Sequence, residues 1–123
     1  MVIEKKSAVD SFSSNVSGWS GTGVTYDSGG GGRLRINSRD TASKTFSYPA
    51  YANKPVIVTL TATKIDTWES SDVFNVLFNG TQVYNSNTTG NITLQGTFNA
   101  SGALTIALMP NSNANAEDIY IDN

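Results

Sequence analysis

Few residues in this chain have chemistry to offer, and a dense group of them lies between Ile65 and Tyr84, in the stretch IDTWESSDVFNVLFNGTQVY. Asp66, Glu69 and Asp72 follow one another at intervals of three, with Trp68 among them. Carboxylates brought together repel unless a cation joins them, and a cage of oxygens is what calcium takes. The chain has no histidine and no cysteine. The commonest general base, the thiolate nucleophile and the soft ligands of transition metals are therefore all missing. Any bound metal must be held by oxygen, calcium before magnesium. Asp66, Glu69 and Asp72 are the central metal candidates, and Asp118 and Asp122 join them if the last strand pairs nearby. A second chemistry is stacking on sugar rings, which needs exposed aromatics. Trp68 is the first candidate because its neighbours are polar; Tyr48 and Tyr51 follow, with Tyr26 and Tyr84 behind them. Glu69 and Asp72 form a nominal acid–base pair, but they share one loop of a small fold with no room for a deep cleft. The expectation is a protein that is not an enzyme.

The elements that position these residues read as strands. Val73 to Phe78 is a dense apolar run, and Asn79-Gly80 follows it before a second short run ending at Val83-Tyr84. Asn-Gly between two such runs predicts a hairpin, because both central residues of a type I′ turn take positive φ. Further strands are expected over Gly23–Asp27, Arg33–Ile36, Thr41–Tyr48, Val56–Thr63, Asn91–Ala100, Ala103–Met109 and Glu117–Asn123, with a short apolar-polar run in residues 1–13. In Thr41–Tyr48, alternation puts Ala42, Lys44, Phe46 and Tyr48 on one face; a lysine among apolar residues suggests an edge strand. Trp19 is expected to cover one end of the sheet. No window has helical period, and the Ser, Thr, Asn and Gly content disfavours helix. The glycines of Ser28–Gly32 lead into a strand, so they form a turn and do not cradle phosphate. About eight to ten short strands with turn signals between them mean a sandwich or a barrel, and two strand-like ends suggest that the termini pair with each other or sit side by side.

A chain of 123 residues is read as one module, residues 1–123, long enough for one core. Its net charge is −2 and only 15% of its residues are charged, so no patch of Lys and Arg is dense enough to neutralise nucleic-acid phosphates. No run is long and apolar enough for a membrane helix. Met1 to Lys6 is not followed by the apolar region of a signal peptide. The Ser, Thr, Asn and Gly surface nevertheless reads as extracellular.

Two segments carry a resemblance. Asp66-Thr67-Trp68-Glu69 followed by Asp72 to Gly80, together with the closing Glu117 to Asn123, resembles non-catalytic jelly-roll modules of large secreted bacterial proteins, including adhesins. The opening Asp10 to Trp19 is similar to the first strand of many carbohydrate-binding modules. The resemblance implies an all-β fold, an antiparallel β-sandwich of jelly-roll type. It also implies a structural calcium between the first and last strands, for which Asp10 and Asp122 are the available acids, since the usual acid after the first-strand phenylalanine is Ser13 here. The expected function is an extracellular bacterial surface module, adhesin-like and calcium-stabilised, acting as an extender or presenting a ligand surface. Its partners would be a glycan or cell-surface ligand and the neighbouring modules of a longer chain, with no nucleic acid and no membrane insertion. The alternatives are a carbohydrate-binding module of an extracellular hydrolase and a fibre or virion subunit that self-associates through an edge strand.

Overall fold

The computed structural model describes residues 12, 15–16, 18–29, 32–65, 68–69, 71–87, 90–112 and 118–122. Its strands are β1 (Val24–Asp27), β2 (Arg33–Ile36), β3 (Ala42–Ser47), β4 (Pro55–Lys64), β5 (Val73–Phe78), β6 (Thr81–Ser86), β7 (Gly90–Thr97), β8 (Ala103–Asn111) and β9 (Ile119–Asp122). They form two antiparallel sheets, ordered β1-β2-β9-β4-β7 and β3-β8-β5-β6. The architecture is the all-β jelly-roll sandwich that the turn spacing predicts, with a 3-10 turn at Pro49–Tyr51.

Period-2 alternation builds the core. Leu34, Ile36, Ile119 and Ile121 face inward from β2 and β9, and Phe74, Val76, Leu104 and Leu108 face them from β5 and β8, all almost fully buried. Each side chain buried this way stabilises the fold by about 1.5–3 kcal/mol. Phe12 belongs to the same core. Trp19 is half-buried and packs edge-on against Phe12 and Phe46, next to the bridge that Ser20 makes with Ser43 of β3.

The Asn79-Gly80 turn is as predicted. Asn79 has φ 49° and Gly80 φ 83°, and Phe78 pairs with Thr81 across it. The Asn79 side chain also fastens the turn to β8: its Oδ1 accepts from the Thr105 amide at 2.8 Å and its Nδ2 donates to the Ala103 carbonyl at 3.3 Å. Both edges of β9 are taken, by β2 and by β4, and residues 1–11 lie outside the described residues.

Four connections cross between the sheets at one end of the sandwich: β2–β3, β4–β5, β6–β7 and β8–β9. Glu69 and Asp72 belong to the β4–β5 loop at this end. Near the opposite end a Cβ on Gly96 would lie 2.5 Å from the ring of Phe78. Gly96→Ala is therefore expected to force the ring aside and lower stability by about 1–2 kcal/mol in urea unfolding; an unchanged midpoint would show that the ring yields without cost.

Candidate functional site

The outward face of the five-stranded sheet collects the chain's polar functionality. Ile119 and Ile121 are core residues, so Tyr120 between them must point outward; Leu34 and Ile36 force Arg33 and Arg35 outward in the same way. Register then aligns Thr25, Arg35, Tyr120 and Thr63 in one row across β1, β2, β9 and β4. Tyr120 is the one aromatic at an outward position of the described strands of this sheet.

The centre of this face is preorganised. The guanidinium carbon of Arg33 sits 3.6 Å from the Tyr120 ring centroid and that of Arg35 5.8 Å from it, a cation–π arrangement. Arg33 Nε donates to Asp27 Oδ1 at 3.3 Å, and the Gly29 amide donates to the same oxygen at 2.8 Å. The Gly29 amide, helped by hydrogen bonds from Arg33 and Tyr120, holds the Asp27 carboxyl below its ordinary value of 3.8. Arg35 is anchored from below. Its Nε and Nη2 donate to Asp118 Oδ2 at 3.0 and 2.7 Å, and the Ser38 amide donates to Asp118 Oδ1 at 3.0 Å. The Asp118 hydrogen bonds raise the Arg35 pKa above its usual range. Beyond Tyr120 the face is neutral: Thr61 donates to Asn91 Oδ1 at 2.9 Å, and Thr59, Thr61, Asn91 and Thr93 line a shallow open depression of about 340 Å³.

The loop end is organised differently. Asp72 is 2% exposed, and its Oδ2 accepts the Glu69 amide at 2.7 Å. The Asn87 side-chain amide donates to the carbonyls of Glu69 and Asp72 at 2.7 and 2.8 Å, and Lys64 Nζ donates to Asn87. Trp68 is half-buried against the core, with Nε1 donating to the Asp118 carbonyl at 3.2 Å. Tyr48 packs edge-on and Tyr51 packs tilted against Phe98 at the other end of the sandwich. The structure thus separates Trp68 from the two tyrosines by the length of a strand, and all three pack on the core. Asp122 stands on the outward face of β9, opposite Thr61 and away from the β4–β5 loop. Asp10 and Asp66 lie outside the described residues.

Comparison with solved structures places this architecture. The chain aligns with the C-terminal family 22 carbohydrate-binding module of Clostridium thermocellum Xyn10B at a TM-score of 0.59 and 18% identity, over 94% of this chain and 88% of that one. A xylan-binding domain of carbohydrate-binding module family 22 aligns at 0.58 and 17%, over 94% and 89%. A family 36 carbohydrate-binding module, solved with calcium and xylotriose, aligns at 0.53 and 18%, over 94% and 95%. The fold is that of carbohydrate-binding modules. No protein-family model matches the chain, and no curated protein matches its sequence.

One of these modules was solved with calcium, so the acids merit the same question. Calcium takes six to eight oxygens. Among the described residues no three carboxylates converge into a group that could hold a metal. Asp72 and Asp118 spend carboxylate oxygens on amide donors and on Arg35, and Asp122 stands apart on β9. Asp72 and Asp118 act as loop staples, and the described acids do not build a calcium cage.

Tyr120, Arg33 and Arg35 are absent from the candidates drawn from the loop motifs. Their signal was the alternation itself: Ile-Tyr-Ile in the last strand and Arg-Leu-Arg-Ile in β2. Residues flanked by obligate core positions must face out.

Proposed function

We propose that this chain is a non-catalytic carbohydrate-binding module that takes a neutral polysaccharide across the outward face around Tyr120. The observation that carries the reading is the composition of that face. It offers one aromatic, two anchored guanidinium groups and a field of hydroxyl and amide side chains. The two arginines stand against three carboxylates, Asp27, Asp118 and Asp122, so it has no excess positive charge to select an anionic partner. Fixed donors and acceptors of both kinds, with a stacked planar platform, suit a polyhydroxyl ligand. Xylan and xylotriose, named for the structural neighbours, are the first ligands to try. The adhesin-like extender reading draws less support, because a bare spacer gives no reason for a preorganised Arg33–Tyr120–Arg35 cluster in the middle of an outward face. An extracellular location belongs to the same proposal. A calcium clamp would have to draw on Asp10 or Asp66, and a melting curve unchanged by chelator would remove it.

Affinity electrophoresis through gels containing xylan, β-glucan, mannan or pectin tests the reading. Retardation by at least one neutral polysaccharide, relative to an inert protein of similar size, is expected. Unaltered mobility in every gel would overturn the proposal, and retardation by pectin alone would overturn the neutral-ligand assignment.

A further inference from the structure

Each sheet ends in two edge strands, and the four edges are treated differently. An exposed edge is a template for pairing with another chain, and proteins blunt it with charge, bulges, brevity or cover. β1 is four residues long and carries the ion-paired Asp27. β3 holds the inward-row Lys44, and Ser20 lies along its edge, exchanging backbone hydrogen bonds of 3.0 Å with Ser43 in both directions. β6 is bulged: the register shifts opposite Val76 and Leu77, leaving Val83 unpaired in the ladder. β7 has none of these devices. It runs eight residues, Gly90–Thr97, in uninterrupted register with β4, without charge or proline, and among the described residues nothing pairs with its outer edge.

The sequence of β7 indicates what fits there. Gly90-Asn91-Ile92-Thr93-Leu94-Gln95-Gly96 is a chemical palindrome about Thr93. Laid antiparallel against a second copy and centred on Thr93, glycine meets glycine, Asn91 meets Gln95, Ile92 meets Leu94 and Thr93 meets itself. Like-with-like pairs of this kind are favourable cross-strand partners: amides and hydroxyls bond one another, and the aliphatic pair extends the core side. A two-fold axis would set any charge on β7 against its own kind, and β7 has none.

We propose that β7 pairs antiparallel with β7 of a second copy, joining two five-stranded sheets into one of ten strands. The axis is normal to the sheet, so both outward faces look the same way. Resting on the glycan reading above, this makes the dimer a bivalent binder with two Tyr120 faces on one side.

Sedimentation velocity tests the pairing without any glycan, so its failure and that of the binding reading are distinguishable. The wild type is expected to pass from monomer to dimer between about 10 µM and about 1 mM, the range of a small interface. Thr93→Lys and Thr93→Asp, at an exposed position the fold tolerates, each set like charges across the axis and should weaken the dimer about tenfold or more. An equimolar mixture of the two should restore it by pairing Lys with Asp. Gln82→Lys, on the β6 edge, should leave association unchanged. A wild type that stays monomeric over the range, a mixture that fails to re-associate, or an equal loss with Gln82→Lys would each overturn the proposal.

Discussion

Arg35→Met is expected to lower the melting temperature by about 8–12 °C, measured by circular dichroism. Asp118 has 3% of its side chain exposed, whereas the guanidinium of Arg35 is 37% exposed. Removing the cation strands a buried carboxylate, and breaking a buried pair from one side costs about 3–5 kcal/mol. Solvent access to Arg35 reduces this to about 2–3 kcal/mol here. At roughly 3–5 °C per kcal/mol for a domain of this size, the shift follows. Asp118→Asn should cost less, since the amide oxygen can still accept from Ser38 or Arg35. The double variant should fall short of the sum of the singles, because the stranded charge is gone. A shift under about 3 °C for Arg35→Met would mean that water reaches Asp118 when the arginine leaves. The pair matters beyond its own energy. The carbonyl of Asp118 accepts from the Ile65 amide and from Trp68 Nε1 while its carboxylate holds Ser38 and Arg35, so one residue ties the β2–β3 loop, the β4–β5 loop and β9 together. Loss of this tie should appear as early exchange of the Ile65 and Ser38 amides, ahead of the core strands.

The strands were legible because alternation and turn chemistry are local. Arg-Leu-Arg-Ile, the Asn79-Gly80 turn and the Leu104, Ile106, Leu108 face each declare themselves within a few residues, and the structure holds all three. The partners were not legible. Arg35 and Asp118 are 83 positions apart, and only the strand order β2-β9-β4 brings them together. The acid-rich loop drew attention for the same reason in reverse. Asp72 is close in sequence to Glu69, but its carboxylate turns inward to close its own loop on the Glu69 amide, as short acidic side chains do in turns. Proximity along the chain suggested a metal cluster; the hydrogen-bond needs of a buried loop decided where that carboxylate went. Trp68, Tyr48 and Tyr51 carry a similar lesson, since a ring with polar neighbours in sequence can still lie on the core once its loop folds back.

Tyr120→Ala is expected to weaken binding to the responsive polysaccharide by about 30-fold while leaving the fold intact, a size usual for a central aromatic anchor. The ring does not meet a sugar alone. Arg33 lies 3.6 Å from its centroid and is held there by Asp27, so guanidinium and ring form one platform. Arg33→Ala should therefore weaken binding by about tenfold or more, since a guanidinium bonded to sugar hydroxyls makes charge-assisted contacts. The two losses should not add, because each variant dismantles the same stack. Tyr120→Phe keeps the ring against Arg33 and removes only the hydroxyl that helps lower the Asp27 pKa, so its effect should be a few-fold at most. pH offers an independent check. The folded pKa of Asp27 lies below its ordinary 3.8, so its anchoring charge is fully present above that value and is lost only as pH falls through the lowered one. The chain has no histidine. Affinity should therefore be flat from about pH 5 to about pH 8. Stronger binding by Arg33→Ala would make the bare ring the platform. Unchanged binding by both Tyr120→Ala and Arg33→Ala would move the site off this face, toward Trp68 and the loop end.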